Sequence, residues 1–200
     1  MYARFVTFTG AKNVDAGVSF IRDSLLPAIS DLKGYRGLYV SADRAAGVFG
    51  VLSLWDTAAE RDASWERLAG RRREGQDIIG GQLSAETYEQ LVVDISDPPP
   101  AAGSPLMVTP VSMDPAKVEE NVADFRSDVL PRIQAAPGFR AVRLLMNRET
   151  GQGMVGTAWA DEDAMRVADA DARTRRQEYM ARGIQFGEVS YREIVFTDVR

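Results

Sequence analysis

Apolar residues recur near the start of the chain at helical spacing. Val14, Val18, Ile21, Leu25 and Ile29 fall at i, i+4, i+7, i+11 and i+15, the stripe of an amphipathic helix. Val118, Val122, Phe125, Val129 and Ile133 repeat it in the second half. Pro27 and Pro131 interrupt both stripes at the same turn. A proline ring removes a backbone donor and crowds the preceding turn, so a kink or a fresh helical start is expected there. Lys33-Gly34 and Pro137-Gly138 end the two helices.

The remaining pattern is strand-like on either side of a second helix. Ala3–Thr9 and Leu106–Ser112 are β-rich openings. Arg36–Ser41 with Val48–Trp55, and Arg140–Leu145 with Gly153–Trp159, are apolar strands joined by short polar loops that end in Gly47 and Gly151, as hairpins require. A second helix is expected to start at the N-caps Thr57 and Asp161 and to run to about Gln76 and Arg182. Thr87–Ile95 and Tyr191–Asp198 are the closing strands.

The two halves match as sequences. At an offset of 104 residues, Val14–Trp55 aligns with Val118–Trp159 without a gap, and twelve of the 42 positions are identical, among them Arg22/Arg126, Pro27/Pro131, Gly34/Gly138 and Trp55/Trp159. The offset then becomes 103, pairing Gln82 with Gln185 and Tyr88 with Tyr191. We read this as a tandem repeat. Residues 1–95 form the first copy and 106–200 the second, joined by a linker at 96–105 with four prolines.

The order β-α-β-β-α-β in each copy is that of the split βαβ, ferredoxin-like unit. The expected class is therefore α+β: two ferredoxin-like units whose antiparallel sheets pack face to face as an intrachain, pseudo-dimeric α/β barrel.

Composition narrows the chemistry. The 200 residues include no histidine and no cysteine. That excludes thiolate nucleophiles, imidazole relays, and metal sites built on either ligand. Basic and acidic residues number 24 and 29, for a formal charge of −5, and neither half is a basic arm; nucleic acid is not an expected partner. No stretch is long and apolar enough to span a membrane, and the opening residues lack the apolar core of a signal peptide, so a cytoplasmic location is expected. One chain per barrel makes a monomer, or a homodimer of such barrels, the expected assembly.

The Gly34-Tyr35-Arg36-Gly37 strand, the polar turn and the third strand ending in Leu54-Trp55-Asp56-Thr57 before an Ala/Glu-rich helix resemble the antibiotic biosynthesis monooxygenase family of the dimeric α/β-barrel superfamily. The resemblance covers both halves outside the linker. It implies a β-barrel formed by two units and a pocket for a small apolar or aromatic molecule. It also implies cofactor-independent oxygenation of an aromatic or polyketide-like substrate, or a barrel that has lost that chemistry and only binds or interacts. The strand-end tryptophan of the family matches Trp55 and Trp159. The histidine that the family often carries eight or nine residues later is replaced by Ala63-Ser64 and Val167-Ala168, and the first-strand asparagine has no counterpart, since Asn13 lies after the strand. No cofactor and no metal is expected. Haem, which the degrading branch of the family holds by histidine, is not expected here.

Six residues are the candidate ligand contacts. Trp55 and Trp159 either wall an aromatic pocket by stacking or plug the junction of sheet and helix. Arg36 and Arg140 either grip a carboxylate or phenolate or form structural ion pairs. Tyr39 and Arg143, equivalent at the 104 offset, interrupt apolar strands, as do Gln90 and Glu193; on a buried face each needs a partner or a ligand. The catalytic residue itself stays unassigned. Asp161-Glu162-Asp163 reads as a helix cap, and Arg71-Arg72 with Arg175-Arg176 as a solvated helix face or an interface.

Overall fold

A computed structural model describes residues 1–199. Strand β1 (Tyr2–Thr9) leads into α1 (Val14–Phe20), which continues through a π-helical turn, Ile21–Leu25, into α2 (Leu26–Ser30). The hairpin β2 (Tyr35–Asp43) and β3 (Val48–Trp55) follows, then α3 (Ala58–Arg67), α4 (Ala69–Ile79) and β4 (Gln82–Ile95). The second half repeats the order. It comprises β5 (Pro105–Ser112), α5 (Val118–Asp124), a second π-helical turn at Phe125–Val129 and α6 (Leu130–Ala135). Then come β6 (Phe139–Met146), β7 (Gln152–Trp159), α7 (Glu162–Met180), and the strands β8 (Gln185–Phe186) and β9 (Ser190–Thr197).

The π-helical turns are the structural answer to the prolines. Pro27 and Pro131 each follow a five-residue π turn and stand at the second position of the next α-helix. A widened turn accommodates the missing donor and the bulk of the ring without breaking the helix.

The strands of the first half join in the order β4-β1-β3-β2, and those of the second half in the order β6-β7-β5, with β8 and β9 both paired to β5. By contacts the chain divides into unit 1, Met1–Thr87 with Ile194–Arg200, and unit 2, Tyr88–Glu193. The sequence repeats 1–95 and 106–200 and these compact units therefore differ at the ends of β4 and β9. The second half of β4 pairs with β6 from Glu89↔Met146 to Ile95↔Ala141. At the other end, the Asp198 amide donates to the Leu38 carbonyl of β2.

Within unit 1, β3 lies between β1 and β2, in register from Tyr2↔Trp55 to Thr9↔Val48 and from Gly37↔Leu54 to Asp43↔Val48. Alternate side chains of these strands turn towards the helices. Leu38, Val40, Phe49 and Trp55 join Phe20, Ile21, Ile29 and Ile79 in one buried cluster. Unit 2 repeats this arrangement with Val142, Leu144 and Trp159 set against Val122, Ile133, Met165 and Ala168.

The helix starts follow the expected chemistry. Thr57 accepts from the Glu60 amide at 3.2 Å while its hydroxyl donates to the Glu60 carboxylate at 2.8 Å; Asp161 accepts from the Ala164 amide at 2.8 Å. Two elements differ from their expected form. The helix after Thr57 bends at Leu68, which packs against the unit 1 core, and resumes as α4, whereas α7 is continuous. The final strand of the second half is interrupted between β8 and β9, where the Gly187 amide bonds to the carbonyl of Pro110, a residue that offers no amide in return.

Candidate functional site

Each unit has a half-open cavity between its sheet and its helices. That of unit 2 measures about 120 Å³ and that of unit 1 about 90 Å³.

The unit 2 cavity has an apolar floor. Thr157, Trp159 and Val155 of β7 and Leu144 of β6 line it from the sheet, and Phe125, Val129 and Ile133 line it from the helices above. Phe125 and Val129 belong to the π-helical turn. The extra residue accommodated there places part of the apolar stripe directly over the cavity. Trp159 is almost wholly buried at 1% exposure; its indole N–H donates to Thr157 Oγ1 at 3.0 Å, and Phe139 meets its ring edge-on at 6.3 Å. Two threonines, Thr109 and Thr157, come from the strands, and the charged groups come from the helices. Arg175 ion-pairs with Asp171, and the buried Tyr179 hydroxyl donates to Asp128 at 3.3 Å, a carboxylate also held by Arg132 at 2.8 Å. Burial, and then the Asp128 carboxylate, push the Tyr179 hydroxyl above its ordinary value. Asp171 is the sole carboxylate among the described lining residues.

Behind that wall stands a buried acid. Asp169, 3% exposed, accepts from Arg176 at 2.6 Å, from the Tyr191 hydroxyl at 2.8 Å and from Arg173 at 2.9 Å. Burial alone would raise it. The three hydrogen bonds together outweigh that effect and hold the carboxyl below its ordinary value.

The unit 1 cavity is built largely from the equivalent positions, with other residues. Val6, Phe8, Val51 and Ser53 form its sheet side and Phe20, Ile21 and Leu25 part of its helical side. One end carries cations. The guanidinium carbons of Arg4 and Arg72 lie 4.4 and 3.6 Å from the centre of the Trp65 ring, and Arg72 also donates to the Trp65 carbonyl at 2.7 Å. Burial lowers both arginines from their ordinary value; Asp62 opposes this at Arg4 and Glu66 at Arg72.

The sequence candidates distribute as follows. Trp159 lines the unit 2 cavity. Trp55, equally buried, is packed edge-on against Tyr35 at 5.5 Å, donates to Ser53 Oγ at 3.1 Å, and is not among the residues lining the unit 1 cavity. Tyr39 is half-buried on the face of β2 opposite Leu38 and Val40. Arg143 is buried on the face of β6 opposite Val142 and Leu144, where it donates to the Gln90 side chain. Arg36 and Arg140 both occupy β-bulges, each skipped in the register with the third strand of its half. Arg36 makes a two-pronged pair with Asp56 at 2.6 Å; Arg140 is half-buried and its carbonyl accepts from the Ser96 amide at 2.8 Å. Of the six, Trp159 alone is among the residues that line these two cavities. Ser64 and Ala168, two of the positions where the resembled family often has histidine, do line the two cavities.

Sequence reasoning passed over Arg4, Trp65, Asp171 and Tyr179. One signal was available. At the 104 offset Trp65 aligns with Asp169 and Gly75 with Tyr179, unlike pairs inside helices of otherwise similar pattern.

No family model matches the sequence. An uncharacterized protein of Mycobacterium tuberculosis (strain ATCC 25618 / H37Rv), Rv2557, is 28% identical over 166 residues, spanning 82% of this chain and 74% of its own length. Among solved structures, an anthrone oxidase-like protein superposes with a TM-score of 0.68 at 14% identity, over 98% of this chain and 92% of that one. An uncharacterized ferredoxin fold protein related to antibiotic biosynthesis monooxygenases, from Listeria monocytogenes 4b F2365, gives a TM-score of 0.50 at 9% identity, over 96% and 95% of the two chains. The chain thus has the ferredoxin-like, dimeric α/β-barrel fold of the antibiotic biosynthesis monooxygenase-like proteins.

Proposed function

We propose that the protein binds a small, largely apolar aromatic molecule in the unit 2 cavity and oxygenates it without a metal or an organic cofactor. The observation that carries this reading is the apolar cavity over Trp159 and Thr157, with one carboxylate, Asp171, at its solvent-exposed rim. Dry apolar cavities of about 150 Å³ take up benzene, so a cavity of about 120 Å³ holds at most a single ring. A larger, polyketide-like substrate extends past Arg132, Asp171 and Arg175. The apolar walls hold the reacting carbon in place beneath the Asp171 rim. For an activated methylene the balance is R–CH2–R′ plus O2 giving R–CO–R′ plus H2O. Asp171 takes the first C–H proton, the carbanion reduces dioxygen and combines with it as a hydroperoxide, and loss of water leaves the ketone.

A second reading, binding without catalysis, is favoured by a specific observation. Asp171 is already ion-paired with Arg175, and the cavity wall holds Ala168 where an imidazole base would otherwise stand.

Native mass spectrometry of the purified chain for a retained molecule, followed by oxygen-electrode assays with anthrone-type phenols, tests both readings. Oxygen uptake that is lost in Asp171→Asn supports oxygenation. Binding without uptake leaves the second reading. No retained molecule and no binding of any aromatic overturns both.

A further inference from the structure

The unit 1 cavity has a chemistry of its own. Its lining includes Arg4, Arg71 and Arg72 and no described carboxylate, whereas every other wall is apolar apart from Ser53 and Ser64. Arg71 is paired outside with Glu74, and one nitrogen of Arg4 with Asp62 at 2.9 Å. Arg72 makes no ion pair among the described residues; it donates to the Trp65 carbonyl and stacks on the face of the Trp65 ring. Arg4 is the more telling group. Its side chain is 12% exposed, and its Nε is buried without a hydrogen-bond partner. A buried, unsatisfied donor on a cation costs free energy unless something supplies an acceptor. The arrangement is an apolar chamber with guanidinium donors and an aromatic face at one end.

We propose that the unit 1 cavity is a binding site for a small aromatic carboxylate, the ring held against Val6, Phe8 and Ile21 and the carboxylate received by Arg4 and Arg72. Guanidinium groups recognise carboxylates through paired N–H donors, and the apolar walls receive the ring edge. The site is separate from the unit 2 cavity and does not depend on the oxygenase reading.

Trp65 is the reporter. The chain has three tryptophans, and the indole N–H groups of the other two are engaged by Ser53 and Thr157. Benzoate titrated into the full chain is expected to shift the Trp65 indole N–H signal in NMR spectra saturably, with Trp65→Phe used to assign it. Benzamide, the uncharged equivalent, is expected to bind at least about ten-fold more weakly, and Arg72→Gln to weaken benzoate by a similar factor, since hydrogen bonds to charged groups contribute about 1.5–3 kcal/mol. Arg4→Met, which installs the residue that unit 2 carries at the matching register position, is a second variant in case one of them disturbs the fold; the dispersion of the spectra reports on that. Equal binding of benzoate and benzamide overturns the proposal, as does benzoate affinity unchanged in a folded Arg72→Gln or Arg4→Met. A benzoate shift at the Trp159 signal alone also overturns it while leaving the unit 2 reading intact.

Discussion

The two cavities share a scaffold and differ in how it is filled. Arg4 pairs with Ser53 across the sheet in unit 1, and Met107 pairs with Thr157 at the matching place in unit 2. Trp65 stands where unit 2 has Asp169, Gly75 where it has Tyr179, and Phe20 where it has Asp124. The last two differences form one exchange. In unit 1 a large residue on α1 faces a glycine on α4; a Cβ added at Gly75 would come within 2.8 Å of the Phe20 ring. In unit 2 the large residue, Tyr179, is on α7, and the partner is the smaller Asp124. The volume has moved from one helix to the other. Charge has moved as well: in unit 1 an aromatic ring separates two arginines, and in unit 2 an aspartate gathers them. Paired substitutions of this kind keep a fold while changing what its cavity presents, because packing density constrains the sum of volumes more tightly than their placement.

The largest expected effect tests the volume exchange. Phe20→Ala removes a buried ring from the unit 1 core and should cost about 3–5 kcal/mol in denaturant unfolding. Asp124→Ala, at the equivalent place, breaks only a surface pair with Arg182 at 3.4 Å and should stay within about 0.5 kcal/mol. Gly75→Ala sharpens the point. Alanine is favoured over glycine within a helix by about 1 kcal/mol, yet here it meets Phe20. The substitution should destabilise the wild-type chain and stabilise the Phe20→Ala background. If Gly75→Ala has the same sign in both, Phe20 does not occupy the space that Tyr179 fills in unit 2.

The charge exchange gives an intermediate effect. Asp169→Asn leaves Arg176, Arg173 and Tyr191 around a neutral amide. Loss of charge-assisted hydrogen bonds should cost about 1.5–3 kcal/mol, towards the lower end because Arg173 is largely exposed and can turn to water. The sign with pH follows from the lowered carboxyl. Its contribution is fully present above the ordinary value of 3.8 and is lost as pH falls through the folded-state value below that. Thermal unfolding of the wild type against Asp169→Asn should therefore converge in acid. A gap that stays constant down through that range would mean the hydrogen bonds do not depend on the charge.

Much of the fold was legible from the chain because its signals are local. The helical stripes, the prolines, the caps at Thr57 and Asp161 and the glycine-bearing hairpin turns each fix an element without reference to anything distant. What local signals do not carry is where a strand finds its partner. The second half of β4 pairs with β6, and the described residues from Ile194 on belong by contacts to unit 1, because each ladder is set by strand register rather than by the repeat boundary. Nor did the pattern show the bend at Leu68, a side chain drawn into the core.

The candidate site was less legible for a related reason. Arg71-Arg72 and Arg175-Arg176 recur visibly and read as solvated helix faces or an interface. Consecutive residues on a helix point in directions about a quarter-turn apart, and in each pair at least one guanidinium turns inward: Arg72 onto Trp65, Arg176 onto Asp169. Arg4 was hidden in a strand whose alternation reads as half-buried. The strand polar residues Tyr39 and Arg143 drew attention because they break apolar runs, but they lie on the sheet face away from the cavities. Periodicity identifies a buried face and does not say which of two buried faces is hollow.

The smallest expected effect isolates one hydroxyl. Tyr179 lines the unit 2 cavity, and no counterpart exists at Gly75. Tyr179→Phe keeps the ring and removes a long hydrogen bond to Asp128, a carboxylate that retains Arg132, so the expected cost near neutral pH is about 0.5–1 kcal/mol. Its pH dependence runs opposite to that of Asp169. Burial and Asp128 raise the phenol above its ordinary value of 10.0, so the folded state favours the neutral form. The unfolded chain releases its proton first, and stability falls as pH rises above that value. The wild type should lose stability more steeply than Tyr179→Phe in this alkaline range, and absorbance titration should show one fewer late-ionising phenol in the variant. Identical alkaline slopes would mean that Tyr179 is hydrated like a surface tyrosine, and that the unit 2 cavity is open to water along that wall.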